Sequence, residues 1–598
     1  MARLIILEAA VLILISVGFV AFLSSGGWAT SPLSSVTVFN TTFWDIDLDD
    51  PLNCSFIYAK NFTFRNETIL QYDVWFDSQD FNGSSYLLHG VLLDPLFYGL
   101  NVSDVVMIND THFVSDTDAL TFKPGILLLH GTNGSAQDML GYGKELAASG
   151  YVILVMDSPG CGDSMGPGCT AANTINFSNG PYSAYYYHNV MAASRAISAL
   201  ASYTSVNDSA IAVSGVSMGG IGTFLVSAVD SRVKAAIPVV ASGFFDEILA
   251  KGSLVNFIIP SNIGINDPSV KELVKYFDCR AYAQNLSVPT LMLIGTNDEY
   301  FFLDAVNKTY SLIPSEKALN LAPNLGHSWV DERWMASVYI WLNHSLKGQP
   351  EALPVLPSFS VEQVNFYTGL KMKIQQPIAG QNYSLIYRTG MPGSLWVEMD
   401  LSKSDTISML PLPSTYEYYL AAKENDTIIS TSPVYSTQAT SSLFIISVLF
   451  LLAVILILAF NWKEFISSYA SSSLLGTVVF MLSITIWLIA AASLAMPWLE
   501  ISGKASMNLM QVWDNFATHL PPFTLVLVAT IIPLIAFAVR IWIGGIVLLL
   551  SFAWVYSLLL PLLALGGGAV VLGGGAYLLG ACIAASLVIA AVLKLVRG

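Results

Sequence analysis

Gly215-Val216-Ser217-Met218-Gly219 follows the apolar run Ile211-Ala212-Val213-Ser214, a G-x-S-x-G sequence at the end of a β-type segment. A serine lifted onto so sharp a strand-to-helix turn exposes its hydroxyl but leaves no room for neighbouring Cβ atoms. Gly215, Gly219 and Gly220 meet that demand. Acyl transfer through such a serine also needs a base for its proton, a carboxylate to orient the base, and donors for the oxyanion. Gly295-Thr296-Asn297-Asp298-Glu299 ends the run Thr290 to Ile294 and supplies Asp298 as the acid, with Glu299 as the alternative. Pro323-Asn324-Leu325-Gly326-His327-Ser328-Trp329 supplies His327 as the base. In His130-Gly131-Thr132-Asn133-Gly134, backbone amides can face the serine turn. The expected oxyanion donors are the N–H groups of Met218 and Thr132, with Asn133 as the alternative second donor.

Other polar residues read more plainly. His89, His112, His188, His344 and His519 lack a matching context and read as structural or surface residues; His130 reads as packing below its loop. Tyr185-Tyr186-Tyr187 reads as helix packing near the pocket, or as lining of an acyl site. Asp45, Asp47, Asp49 and Asp50 alternate with apolar residues and read as a solvated strand face rather than a calcium loop. No C-x-x-C pair or H-E-x-x-H motif suggests a metal, and the chemistry requires no cofactor.

The elements that must hold these residues follow from hydrophobic patterning. Short apolar runs at Ile126 to His130, Val152 to Asp157, Ile211 to Ser214, Ala235 to Val240, Thr290 to Ile294 and Ala318 to Ala322 alternate with helix-like stretches. That alternation predicts a mostly parallel sheet flanked by helices. Tyr72 to Phe76 and Tyr86 to Leu93 alternate like antiparallel strands leading into it. Residues 28–350 form this domain, with a cap insertion at 243–284. Residues 355–438, with strands at Val364 to Tyr367, Tyr383 to Tyr387 and Tyr416 to Ala422, predict a small Ig- or fibronectin-like β-sandwich acting as a spacer.

His130-Gly131, Asp157-Ser158-Pro159-Gly160, Gly215 to Gly220, Gly295 to Phe301 and Asn324 to Trp329, with the chain order Ser, Asp, His, resemble the α/β-hydrolase superfamily over residues 70–346. The branch resembled is that of dienelactone hydrolases, acetyl xylan esterases and prolyl-oligopeptidase-like enzymes. Thr296 to Phe301 with Asn324 to Ser328 also resembles the PhoPQ-activated pathogenicity-related family, whose members are secreted. The resemblance implies esterase- or peptidase-type acyl transfer. The chain departs from the prolyl-oligopeptidase pattern in lacking room for an N-terminal β-propeller.

Of the 598 residues, 54% are hydrophobic, and they are unevenly spread. Leu443 to Phe460, Leu474 to Leu494, Phe523 to Val539, Ile541 to Leu565 and Ala569 to Leu593 predict five transmembrane helices within a membrane domain at 441–598. Leu4 to Leu23, within residues 1–27, reads as a signal anchor or a signal peptide. Arg3, Lys463, Arg540, Lys594 and Arg597 fall on one side if both termini are cytoplasmic, with Lys504 the exception, which puts the catalytic domain outside the cell. Glycan acceptors at Asn40, Asn53, Asn61, Asn66, Asn82, Asn101, Asn109, Asn133, Asn176, Asn207, Asn285, Asn307, Asn343, Asn382 and Asn425 agree with that placement. The acceptor at Asn133 is expected to be unused, since a glycan there would obstruct the serine.

Residues 441–598 hold five basic and three acidic residues, leaving 21 basic and 39 acidic before them, a net −18. So acidic an exterior excludes nucleic acid as a partner. Cys54, Cys161, Cys169 and Cys279 are disulfide candidates, with Cys161 to Cys169 favoured because the Gly/Pro-rich segment between them can fold back.

The whole predicts a membrane-anchored extracellular serine hydrolase for carboxylic esters. The alternatives are a serine peptidase of the same fold and a non-catalytic surface scaffold or membrane-assembly protein. Its partners would be an ester or peptide substrate, the lipid bilayer, and a second copy or membrane protein docked through the C-terminal helices, packed at Gly566-Gly567-Gly568 and Gly573-Gly574-Gly575.

Overall fold

Runs of branched apolar residues that lack polar alternation can be buried on both faces only in a sheet covered on both sides. The computed structural model describes residues 39–79, 85–96, 105–108, 111–114, 122–363, 370–389, 394–407 and 414–439, and the short strands Pro497–Ile501, Ala505–Asn508 and Val570–Leu572. Its main sheet has nine strands: β1 Ser55–Phe64, β2 Glu67–Asp77, β3 Leu87–Leu96, β4 Lys123–Leu129, β5 Val152–Met156, β6 Val206–Val216, β7 Val233–Val239, β8 Thr290–Gly295 and β9 Lys317–Ala322. They lie in the order β1-β2-β3-β5-β4-β6-β7-β8-β9. The first three and β5 pair antiparallel, and every neighbour from β5 to β9 pairs parallel. Ile153, Leu154 and Val155 on β5 are wholly buried, as a strand covered on both faces requires.

Helices α2 (Tyr185–Ser202) and α3 (Met218–Val229) cover one face of the sheet together with the cap; α1 (Ala136–Ala148) and α6 (Met335–Lys347) cover the other. The cap contains Phe245–Ala250, a 3-10 turn at Leu254–Ile258, α4 (Pro268–Phe277) and Cys279–Ala283. Helix α5 (Leu303–Leu312) follows β8. Tyr185, Tyr186 and Tyr187 are buried at the start of α2.

The C-terminal part of the described chain holds two antiparallel sheets. One joins β10 (Phe359–Gln363), β11 (Leu370–Ile374) and β14 (Thr406–Ile407); the other joins β12 (Asn382–Thr389), β13 (Val397–Asp400), β15 (Ser414–Glu424), β16 (Thr427–Thr431) and β17 (Tyr435–Ala439). The ring of Phe359 meets those of Tyr418 and Tyr435, linking the two. The expected strand Val364 to Tyr367 lies outside the described residues. This domain is no detached spacer: it is seated on the edge strand β9. Thr431 Oγ1 accepts from Leu321 N at 3.1 Å and donates to Leu319 O at 3.2 Å, and Asn320 Nδ2 donates to Ile428 O at 3.0 Å. An edge that would otherwise present unpaired backbone groups is thereby covered.

Several expectations need correction. Residues 45–50 form an extended strap rather than a strand: Gln79 Nε2 donates to Asp45 O at 2.7 Å and Gln79 Oε1 accepts from Asp47 N at 3.2 Å, so a side chain takes the place of a partner strand. Cys54, Cys161, Cys169 and Cys279 are all free thiols. The 157–169 loop does fold back, but backbone bonds close it, with Gly160 N donating to Met165 O at 3.1 Å, while Cys54 precedes the first strand and Cys279 is buried in the cap. Burial pushes the Cys54 and Cys169 thiols up to about 12, where they are unreactive.

Asn307 is a poor glycan acceptor, because its amide is bound twice to Val434, donating to the carbonyl at 2.7 Å and accepting from the N–H at 3.0 Å. Asn82, Asn101 and Asn109 lie outside the described residues. Among the described residues no helix is long and apolar enough to cross a membrane. The predicted spans lie outside them, except that Val570–Leu572, placed in the fifth span, is a strand paired with Leu499 to Ile501. Its two valines favour strand, and the triple glycines on either side are poor helix formers.

Candidate active site

The backbone of Ser217 stands at φ 57° and ψ −112°, a strained conformation for a residue with a side chain, between the end of β6 and the start of α3. Three glycines permit it. A Cβ on Gly215 would lie 2.4 Å from Gly219 O, one on Gly219 would lie 2.2 Å from Leu129 O, and one on Gly220 would lie 2.6 Å from Val239 O. Ser217 N donates to Val239 O at 2.9 Å, which fixes the turn to the neighbouring strand.

The structure brings Ser217, His327 and Asp298 together. His327 Nε2 lies 2.9 Å from Ser217 Oγ, and His327 Nδ1 lies 2.9 Å from Asp298 Oδ2. A carboxylate only accepts, so Nδ1 carries the proton toward Asp298 and Nε2 is left to accept the serine hydroxyl. The Asp298 side chain is fully buried, and its other oxygen accepts from Tyr300 N at 2.8 Å and Phe301 N at 2.9 Å. These bonds hold the carboxylate in one orientation. Gly295 allows the base loop to pass close, since a Cβ there would lie 2.3 Å from Leu325 O.

Glu299, the alternative acid, supports the base from the backbone instead, its Oε2 accepting from the N–H of His327 at 3.1 Å. Patterning alone did not single out Tyr300, whose ring stacks on the imidazole with centroids 4.2 Å apart. Its place two residues after the acid was the available signal. The cap reaches the same loop, with Ser253 Oγ donating to Tyr300 O at 2.6 Å and Leu254 N to Glu299 O at 3.2 Å.

The loop after β4 lies beside the serine. A Cβ on Gly131 would lie 3.6 Å from Ser217 Cβ and 3.7 Å from the indole of Trp329, which places the loop in van der Waals reach of both. Thr132 follows it, and Asn133 is exposed at φ 59°. Met218 is the first residue of α3, so its N–H has no acceptor within the helix and sits at the positive end of the helix dipole. His130 is wholly buried beneath, its Nε2 accepting from Ser158 N at 2.9 Å and its Nδ1 donating to Gly131 O at 2.7 Å. Burial lowers its pKa, outweighing the bond to Gly131, and favours this neutral form.

His89, read from the sequence as structural or surface, is buried and bonded through Nδ1 to Asp157 Oδ2 at 2.6 Å. Asp157 also accepts from Ala136 N at 2.6 Å and Asp163 N at 3.2 Å. His89 therefore clasps the loop after β5 to β3. Asp163 completes a trio whose ligand atoms could reach a single ion, but the hydrogen bonds already satisfy Asp157.

The second domain reaches the base loop directly. Asn324, at φ 59°, accepts from Trp396 N and donates to Trp396 O, both at 2.8 Å, while its own N–H donates to Thr296 Oγ1 at 2.7 Å. One residue thus joins the acid loop, the base loop and the second domain, the first through its backbone and the last through its side chain. The arrangement can pass a proton from Ser217 to His327 while Asp298 balances the resulting imidazolium.

Residues 124–257 match the family model described as alpha/beta hydrolase fold, and residues 256–378 match that of the PhoPQ-activated pathogenicity-related protein. Among solved structures, the chain is similar to an acetyl xylan esterase from Paenibacillus sp. R4, at 20% identity and a TM-score of 0.40, covering 50% of this chain and 90% of that one. It is also similar to acetyl xylan esterase 1 from Thermoanaerobacterium sp. JW/SL YS485, at 17% identity and a TM-score of 0.38, covering 49% and 88%. An esterase from Pyrococcus furiosus is 17% identical with a TM-score of 0.33, covering 46% and 93%.

Proposed function

We propose, taking as premise that the chain belongs to the α/β-hydrolase superfamily, that it is a serine hydrolase that cleaves carboxylic esters. The observation that carries this reading is the continuous hydrogen-bonded chain from Ser217 Oγ through His327 to buried Asp298. Ser217 Oγ attacks the ester carbonyl as His327 Nε2 takes its proton, and Asp298 Oδ2 holds the Nδ1–H and stabilises the imidazolium. The N–H groups of Met218 and Thr132 receive the oxyanion. Collapse of the tetrahedral species expels the alcohol, which takes the proton from Nε2 and leaves Ser217 acylated. Water then attacks the acyl-enzyme along the same route, releasing the acid and restoring the serine.

The apolar segments at both ends of the sequence anchor the chain in a membrane, with the catalytic domain outside the cell. The test is labelling of the detergent-solubilised chain with a fluorophosphonate, followed by peptide mass spectrometry. Label on Ser217 that is absent from Ser217→Ala, together with hydrolysis of p-nitrophenyl acetate, is the expected result. Folded protein that takes no label would overturn the reading.

A further inference from the structure

A cleft of about 540 Å³ opens at the seam of the two domains, bounded on one side by Asn297 and the start of α5 and on the other by Arg388, Leu395 and Glu417. Neither Ser217 nor His327 lines it. The volume falls within the roughly 300–1,000 Å³ of pockets that enclose small organic ligands. Its lining is acidic, with Asp298, Glu299, Asp304 and Glu417 against Arg388. Glu417 is paired with Arg388 at 2.6 Å and Asp304 with Lys251, Asp298 is committed to His327, and Glu299 accepts from the neutral N–H of His327 at 3.1 Å. An anion would meet four acids for one arginine. The unmet hydrogen-bonding capacity is an acceptor: Asn297 Oδ1 is buried without a hydrogen-bond partner. Arg388 is held flat, with its guanidinium 4.5 Å from the centre of the Trp396 ring. Phe302, Leu303 and Leu395 add apolar surface.

Planar donors and acceptors beside apolar side chains suit a ligand that has hydroxyls around its rim and C–H groups on its faces. We propose that this seam cleft is a binding site for a neutral saccharide, separate from the nucleophile. Asn297 Oδ1 accepts one ring hydroxyl, Arg388 and Glu417 engage neighbouring ones, and Leu395 lies against the ring face. Nothing here depends on turnover, so the saccharide site and the ester-cleaving site stand or fall separately.

The test is saturation-transfer NMR on the full-length Ser217→Ala chain with cellobiose as the probe, and with glucuronate as an anionic counterpart. Cellobiose is expected to bind saturably at millimolar concentrations, at least about tenfold tighter than glucuronate, the cost of burying an unpaired charge. Leu395→Trp, which fills the cleft, is expected to abolish binding, and Glu417→Gln to weaken it by about fivefold, as exchange of a charged acceptor for a neutral one does. Phosphonate on Ser217 of the unmutated chain is expected to leave cellobiose binding intact. Absence of saturable binding, equal binding of glucuronate, or loss of binding on phosphonate labelling would each overturn the proposal. If Leu395→Trp does not fold, unchanged binding in Glu417→Gln would do so.

Discussion

Asp298 and Glu299 are adjacent carboxylates, but only Asp298 touches the imidazole; Glu299 grips the backbone of the loop that carries it. The difference predicts opposite outcomes for matched substitutions. Asp298→Asn leaves the shape but favours the wrong tautomer of His327, and kcat for p-nitrophenyl acetate should fall by about 10⁴-fold. Glu299→Gln keeps an oxygen that can accept from the same N–H, and kcat should fall by less than about tenfold. Comparable losses in both would mean that the assignment of the acid is wrong. At this scale Ser217, Asp298 and His327 were legible because each stands in a motif with a steric or chemical rationale. Tyr300 and Asn324 were not, because a stacked ring and a reciprocal amide bond depend on partners that no local pattern reveals.

The elements that frame the site are held by polar clasps as well as by packing. Burial alone would lower the pKa of His89, but the hydrogen bond and charge of Asp157 outweigh it and hold the imidazole above its ordinary 6.5. Asp157 is lowered in turn: burial opposes this, but its bonds to His89 and to two backbone N–H groups prevail. The raised histidine contributes its full stabilisation below pH 6.5 and loses it as pH climbs through its folded value. The lowered carboxyl contributes above 3.8 and loses its share as pH falls through its own folded value. The melting temperature of the chain should therefore decline as pH rises above 6.5, and His89→Gln should flatten that decline. An unchanged slope above pH 6.5 in the variant would refute the clasp.

The strands of the parallel sheet could be read from their uninterrupted apolar runs, whose cores coincide with β4 to β9. β1 was not anticipated, because Ser55–Phe64 interleaves Lys60, Asn61 and Thr63 with its apolar residues and exposes much of its length. The strap at 45–50 escaped for a related reason: its alternation imitates a strand, but Asp45 and Asp47 bond through their backbone to the side chain of Gln79. The seat of the second domain on β9 rests on side chains from distant segments, which periodicity does not encode.

At the scale of the whole molecule, placement and modification are linked. Asn66, Asn382 and Asn425 are exposed, whereas Asn307 is occupied at the seam. Expression in a glycosylating host followed by glycopeptide mass spectrometry should find sugars on these three and none on Asn307 or on Asn133 beside the serine. A glycan on Asn307 would contradict the docked arrangement, and bare asparagine throughout would contradict an exterior location. The reciprocal bonds between Asn324 and Trp396 join residues 72 positions apart, and Asn324 lies three residues before His327. Proteins are made from the N-terminus, and their domains fold largely in that order. A nascent chain that has already released Ser217, Asp298 and His327 from the ribosome still lacks one of the residues that hold its histidine loop, so the site is completed only as a later domain emerges.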